Sequence, residues 1–213
     1  MLSKRSQDTG PLLFALAAAA ALLAALSLWL YLSGQQPGDD SAEAGFARDM
    51  SVHHAQAVEM AEIVRDKTES DEVRLMAADM ALTQQGQIGQ MQGWLGAWGL
   101  PATGKQPAMS WMGHPTEGRM PGMASPEQIE RLQTASPAEA DKMFFQLMIP
   151  HHQAAVPMAE AAIKQTDQPE VENLAGAVVA TQKGEIQLMK NMLEERGARA
   201  PSGSQDHEEM RSH

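Results

Sequence analysis

After residue 40, apolar positions recur among polar ones with the period of an α-helix that buries one face. Positions 46, 50, 53, 57, 60 and 64 are separated by steps of three and four, which is typical of a stripe facing the core of a helical bundle. The pattern predicts a helix from about 40 to 67. Asp40 and Glu43 are expected to form a capping box at its start.

A second helix is predicted over about 70–97, with Ser70 as its N-cap. Only a few residues separate it from the first helix, so the two are expected to be antiparallel neighbours. Residues 98–135 hold five of the twelve prolines and lose the helical period, apart from a short helix predicted after Ser125. We interpret this region as a long crossover.

Two more helices complete the pattern. Helix three is predicted to start at Ser136 with a capping box, and helix four to cover about 169–197 and end at Gly197. The sequence thus predicts an all-α, four-helix bundle made of two hairpins and one crossover. The predicted segments are 1–33 (cytoplasmic stub and membrane helix), 34–40 (tether), 41–97 (half one), 98–135 (crossover), 136–197 (half two) and 198–213 (disordered tail).

The two halves of the predicted bundle, 41–197, are copies of each other. Residues of the first half recur 98 positions later without a gap, so that His53 matches His151 and Met91 matches Met189. The bundle therefore derives from one duplicated helical hairpin.

The N-terminal segment has the composition of a membrane helix. Residues 12–32 carry no charge and are long enough to cross a bilayer at about 1.5 Å per residue. Lys4 and Arg5 precede them, which places the N-terminus in the cytoplasm and the bundle on the extracytoplasmic side, periplasmic or extracellular. A cleaved signal peptide is the alternative, but the stretch exceeds the usual apolar region of about 7–15 residues. We favour an uncleaved, single-pass anchor in the cell membrane.

Composition narrows the chemistry. The chain has no cysteine and sixteen methionines, so thioethers are its only sulfur ligands. Its formal net charge of −11 argues against nucleic acid as a partner and raises the local concentration of cations. A soluble helical protein with acidic outer faces would have the same charge.

Methionine and histidine share one face of helix one and of its copy. On a helical wheel of about 100° per residue, Met50 and Met60 fall within about 60° of His53. Thioethers combined with imidazoles suit Cu(I) or Ag(I), whereas zinc is an alternative that would use the histidines alone. Core packing is the other interpretation of the same pattern. The candidate ligands on these faces are Met50, His53, Met60, Met148, His151 and Met158.

The second histidine of each pair, His54 or His152, lies about 100° around the helix from its neighbour. One histidine of each pair is expected to face the bundle axis, and the other a groove or a second site.

Several other residues affect the predicted helices or the predicted metal site. Pro150 and Pro157 predict a kink or break in helix three, because each removes a backbone donor. Gln84 and Gln182 are expected on the inner face, either as partners of imidazole N–H groups or as a polar core layer. Asp49 falls on the His53 face, although its counterpart is a leucine.

Further methionines, together with His114, can be interpreted either as auxiliary metal ligands or as packing residues. The crossover, for example, could wrap a soft cation, close as a lid or be a flexible linker. The auxiliary candidates are Met91, Met189, Met109, Met112, His114, Met120 and Met123, with His207, Met210 and His213 in the tail as weaker ones.

The segments FARDMSVHHAQAVEMAE and FFQLMIPHHQAAVPMAE resemble the DUF305 family, and the resemblance covers most of residues 40–197. It implies a ferritin-like four-helix bundle, frequently exported, with CopM-like copper-binding relatives and a role in copper binding and resistance. Pro157 departs from the family pattern, which usually has a flexible helical residue there. By position, the resemblance implies that the metal ligands are Met50, His53, His54, Met60, Met148, His151, His152 and Met158.

The leading hypothesis is a membrane-anchored extracytoplasmic protein, not an enzyme, that sequesters Cu(I) or Ag(I) or passes it to a copper-delivery partner. One alternative is a di-metal oxidoreductase on the same bundle. That chemistry uses Glu-x-x-His pairs, and no Glu or Asp stands three residues before any of the four histidines. The other alternative is a structural or interaction bundle without metal.

Overall fold

The computed structural model describes residues 10–33 and 36–198, which form two compact units, one up to Pro37 and one from Gly38 onwards. The described residues contain helices and no strand, which confirms the predicted all-α class. The cationic residues before the apolar segment, the tail and the tail candidates His207, Met210 and His213 lie outside the described ranges. The helices are α1 Gly10–Ser33, α2 Ala42–Lys67, α3 Asp71–Ala97, α4 Pro126–Thr134, α5 Pro137–Gln165 and α6 Pro169–Glu195.

Helix α1 is the predicted apolar helix. Its segment Leu13–Tyr31 has a mean hydropathy of 2.3 and is long enough to cross a membrane, features that a signal sequence shares. Its described side chains are exposed within this unit.

The starts of the bundle helices follow their capping residues. Ser136 forms the predicted capping box, and Ser70 caps α3 as predicted. Ser125, predicted only as a helix start, also forms a capping box. The prediction for α2 was wrong by one residue, because Ser41 rather than Asp40 is the N-cap. The Ser41 backbone is extended and its hydroxyl accepts a hydrogen bond from the Ala44 amide at 3.2 Å.

The four long helices of the second unit form two antiparallel hairpins that meet along α2 and α5. Their core has two apolar clusters. The upper cluster joins the first half of α2 to the last half of α5, and contains Met50, Met91 and Met158. The lower cluster joins the last half of α2 to the first half of α5, and contains Met60 and Met148. Helices α2 and α5 are therefore antiparallel.

Helix α5 runs without interruption from Pro137 to Gln165, although Pro150 and Pro157 lie inside it. The predicted break is absent. Each proline removes one backbone hydrogen bond, but the same helix is buried over most of its length, and this packing outweighs the local loss.

The first part of the crossover is anchored to α2. The carboxylate of Asp49 accepts hydrogen bonds from the Met109 amide at 2.7 Å and from the Trp111 indole N–H at 2.8 Å. The indole lies against Gly45, where an added Cβ would come within 2.4 Å of the ring. Asp49 thus anchors the crossover through hydrogen bonds. The sequence placed it on the His53 face as a ligand candidate and did not predict this anchoring role.

We expect Asp49→Ala to lower the free energy of unfolding by about 2 kcal/mol, because it leaves two donors without their acceptor. Asp49→Asn is the matched control, since its amide oxygen can still accept and burial already raises the pKa of Asp49 by disfavouring its charge. The measurement is urea unfolding of the full chain in detergent, with tryptophan fluorescence as the probe. Equal losses for the two variants would contradict an anchoring role.

Candidate metal centre

A polar layer separates the two apolar clusters at mid-height in the bundle. It contains His53 and His54 from α2 and His151 and His152 from α5, and all four side chains are wholly buried. The rings of His53 and His151 are in contact, with centroids 3.8 Å apart and planes tilted by 37°. We call these four residues the histidine layer. Of the two places expected for the second histidine of each pair, the groove is wrong, because none of the four is exposed.

The protonation of His53 follows from its hydrogen bond. Its Nε2 lies 3.3 Å from the backbone carbonyl oxygen of Pro121. A carbonyl oxygen can only accept, so Nε2 carries the proton and Nδ1 carries the lone pair. That Nδ1 is buried and has no hydrogen-bond partner among the described residues.

His152 has the same tautomer for a different reason. Its Nε2 lies 2.7 Å from Oε2 of Glu185 on α6, and the carboxylate accepts a hydrogen bond from the Nε2–H group. The Nδ1 lone pair is again buried and unpartnered within the described chain. His54 and His151 are unpartnered at both ring nitrogens there. The histidine layer therefore presents six buried nitrogens without hydrogen-bond partners, which is an unusual arrangement in a folded core.

Burial keeps three of these imidazoles neutral. Desolvation lowers the pKa of His53 to about 4 and that of His54 to about 3, and it lowers the pKa of His151 well below the ordinary value. The neighbouring histidines lower these pKa values further, because a second positive charge in the layer would repel the first. A neutral imidazole is the form that binds metal.

Helices α3 and α6 also contribute buried or half-buried polar side chains to the bundle. Gln84 and Gln182 are buried as predicted, but neither amide bonds to an imidazole, so the polar-layer interpretation describes them better. Gln87 and Glu185, the residues beside His54 and His152, were missed from sequence. The sequence did contain a signal for these two residues. They lie 98 positions apart, and each follows one of the predicted inner glutamines by about one helical turn.

The methionines predicted beside the histidines border the layer on both sides. Met50 and Met158 lie in the upper cluster, and Met60 and Met148 lie in the lower one, all fully buried. Each half thus contributes one thioether to each side. Met50 and Met148 are three residues from a layer histidine, about 4.5 Å along the helix, whereas Met60 and Met158 are about 10 Å away.

The auxiliary candidates divide by burial. Met91 lies in the upper cluster and Met189 in the lower, each fully buried. Met109 and Met120 of the crossover are buried in the upper cluster, and Met112 and Met123 pack against it. His114 is exposed. The methionines of the crossover therefore pack against the bundle, whereas residues 101–107 are exposed.

The end of the crossover covers the histidine layer, and we call residues 120–124 the strap. Gln56 holds it with two hydrogen bonds, donating to the Ala124 carbonyl at 2.9 Å and accepting from the Ala124 amide at 2.7 Å. Gly122 lies so close to α5 that an added Cβ would come within 2.6 Å of the Pro150 carbonyl oxygen and 3.0 Å of the His151 Cα.

The donor set fits a soft cation better than a hard one. No group of three or more His, Asp or Glu side chains converges as a metal site within residues 10–33 and 36–198. Hard ions need several oxygen ligands, and Glu185 is the carboxylate hydrogen-bonded to this layer. Soft ions accept imidazole and thioether ligands, and the histidine layer with its bordering methionines contains both.

The chain is similar in sequence and fold to known proteins of one family. The sequence profile described as "Domain of unknown function (DUF305)" matches residues 43–193. A crystal structure of a putative secreted DUF305 protein from Streptomyces coelicolor is 45% identical, with a TM-score of 0.74 over 78% of this chain and 99% of that one. CopM in its Cu(I)-bound form is 28% identical, with a TM-score of 0.54 over 75% of this chain and 98% of that one. CopM structures with Cu(II) and with silver are also similar to this chain.

One relative matches over a short segment. An uncharacterised protein of Acanthamoeba polyphaga mimivirus is 36% identical over 56 residues, which span 26% of this chain and 37% of that protein. The matched segment thus covers well under half of the viral protein.

Proposed function

Because the chain belongs to the DUF305 family, we propose that it binds Cu(I) or Ag(I) as cargo in the histidine layer and either sequesters the ion or passes it to a partner. The observation that carries this proposal is the set of six buried, unpartnered imidazole nitrogens bordered by methionines. The choice of these two ions comes from the similar CopM structures, which are named as Cu(I)-bound and Ag-bound forms.

An ion in the layer would relieve an energetic penalty. A buried polar atom without a partner loses about 1–3 kcal/mol relative to its hydration in water. A bound cation would satisfy the lone pairs of His53 and His152, whose other ring nitrogens are already hydrogen-bonded. Hydrogen bonding of the second nitrogen orients a metal-binding imidazole and raises its basicity. Met50 and Met148 are the nearest thioethers along the helices, one above and one below the layer.

The proposal includes no chemical turnover. A ferritin-like di-metal oxidase needs a carboxylate from each of its four helices. Glu185 is the acidic residue hydrogen-bonded to a layer histidine in the described part of the chain, and the matching position in the other half is Gln87. This donor set supports binding rather than oxidation.

We further propose that α1 anchors the bundle in the membrane with the bundle on the extracytoplasmic side. Its apolar length and the Lys4 and Arg5 that precede it support this orientation. The relative from Streptomyces coelicolor is named as a putative secreted protein, which agrees with export.

The test is a Cu(I) titration of the full chain in detergent against a competing chelator, beside Zn(II) and Fe(II). We expect stoichiometric Cu(I) binding that raises the melting temperature, and loss of both effects in the double variant His53→Ala with His151→Ala. His114→Ala is the matched control, because His114 is exposed and should not affect binding.

Two results would reject the proposal. Cu(I) that binds no more tightly than Zn(II), or equally well to the double variant, would leave the layer as a structural core. Fe(II) that binds and is oxidised would favour the di-metal enzyme instead.

A further inference from the structure

The two halves of the bundle differ in charge at one matched position beside the histidine layer. Glu185 on α6 bonds to His152, and 98 residues earlier Gln87 on α3 lies beside His54. We propose that Glu185 makes the layer selective for monovalent over divalent soft cations, by supplying a single negative charge and fixing the orientation of His152. This inference rests on the proposed function.

The hydrogen bond determines which nitrogen of His152 can bind a cation. The Glu185 carboxylate is 2.7 Å from Nε2 and can only accept, so the proton stays on Nε2. The bare nitrogen is Nδ1, the atom that is buried without a partner. Glu185 is thus a positioning residue, because it acts on the ion through the imidazole.

The charge of the layer follows from the groups that face it. An imidazole binds a metal ion only in its neutral form, so the rings that hold the ion, His152 included, carry no charge. The Gln87 amide beside His54 is also neutral.

Glu185 carries a formal charge of −1, and its side chain is only 22% exposed. A monovalent cation would therefore make the layer neutral overall, whereas a divalent cation would leave one positive charge uncompensated. Burying an uncompensated charge carries a large free-energy penalty.

The matched position suggests a reciprocal pair of variants. Glu185→Gln makes the second half like the first, and Gln87→Glu makes the first half like the second. The shape of each side chain is nearly conserved, so the changes act on charge and on proton acceptance. The side chain of Gln87 is buried, which places an introduced carboxylate in the same desolvated layer.

The first measurement needs no metal. Long-range ¹⁵N–¹H correlation spectra of the full chain in detergent should show His152 as the Nε2–H tautomer. In Glu185→Gln this tautomer should lose its dominance, because an amide can donate to the ring as well as accept from it. An unchanged tautomer in the variant would overturn the positioning role.

The second measurement compares Ag(I) with Cu(II) on the same two variants. In Glu185→Gln we expect Ag(I) to bind about 10- to 100-fold more weakly, the usual effect of losing such a hydrogen-bond partner. In Gln87→Glu we expect affinity for Cu(II) relative to Ag(I) to rise about tenfold or more, because a second carboxylate neutralises the second charge.

The outcomes separate the two proposals. Wild-type protein that fails to bind Ag(I) would reject the proposed function and this inference with it. Wild-type protein that binds Ag(I), with both variants keeping its affinity and its preference over Cu(II), would reject only the role of Glu185. Gln87→Glu decides the charge argument even if Glu185→Gln is poorly folded.

Discussion

Acidification from pH 7 to about pH 4 is expected to unfold the metal-free bundle. His53, His54 and His151 are buried as neutral rings, with pKa values lowered by desolvation, to about 4 for His53 and about 3 for His54. In the unfolded chain the same rings titrate near their ordinary pKa of about 6.5. Below that pH the unfolded state binds more protons than the folded state, so protonation favours unfolding.

The size of the effect is comparable to the whole stability of a domain. One pKa unit corresponds to about 1.4 kcal/mol, so a ring whose pKa falls from its ordinary value to about 4 favours the unfolded state by several kcal/mol in acid. A typical domain is stable by only about 5–15 kcal/mol. The stability is fully present above about pH 6.5, and it is lost progressively as the pH falls toward the lowered pKa values.

The measurement is circular dichroism of the full chain in detergent as a function of pH. His54→Leu removes one of the titrating groups and should move the unfolding midpoint to lower pH, while the exposed His114→Ala should leave it in place. Bound Ag(I) should also lower the midpoint, because it competes with protons for the imidazoles. A midpoint unchanged in His54→Leu would show that carboxylates, rather than the buried histidines, control acid unfolding.

The helices and the inner position of one histidine of each pair were predictable because both follow from local periodicity. A stripe with steps of three and four identifies the buried face wherever the chain is helical, and the duplication repeats it independently. The exact start of α2 was not predictable, since Asp40 and Ser41 are both good N-caps and their backbone angles decide between them.

The contacts of the crossover could not be predicted, because they join residues far apart in sequence. The strap reaches His53 and Gln56 from 68 positions away, and Asp49 bonds to Trp111 across 62. A segment without a helical period carries no signal for such pairings. The partner of His152 was only partly predictable, because the duplication marks position 185 but does not say whether its side chain faces the layer or solvent.

Replacing Gly122 by alanine is expected to lower the free energy of unfolding by about 4 kcal/mol. Gly122 has a φ of +77°, a conformation that costs other residues about 1–2 kcal/mol. An added Cβ would also come within 2.6 Å of both the Pro150 carbonyl oxygen and the Ala154 Cβ. Neither contact lies at the end of a flexible side chain, so the strap must shift, at a cost of about 1–3 kcal/mol.

Gly113→Ala is the matched control for this variant, because Gly113 has the same φ of +77° but no atom within 4 Å of its added Cβ. It should lose only the backbone part, about 1–2 kcal/mol. The difference between the two variants in urea unfolding therefore measures how tightly the strap is packed over the histidine layer. A shifted strap would also withdraw the Pro121 carbonyl from His53, so the Nε2 proton of His53 should exchange faster with water in Gly122→Ala than in Gly113→Ala. Equal stability and equal exchange in the two variants would mean that the strap does not cover the layer in solution.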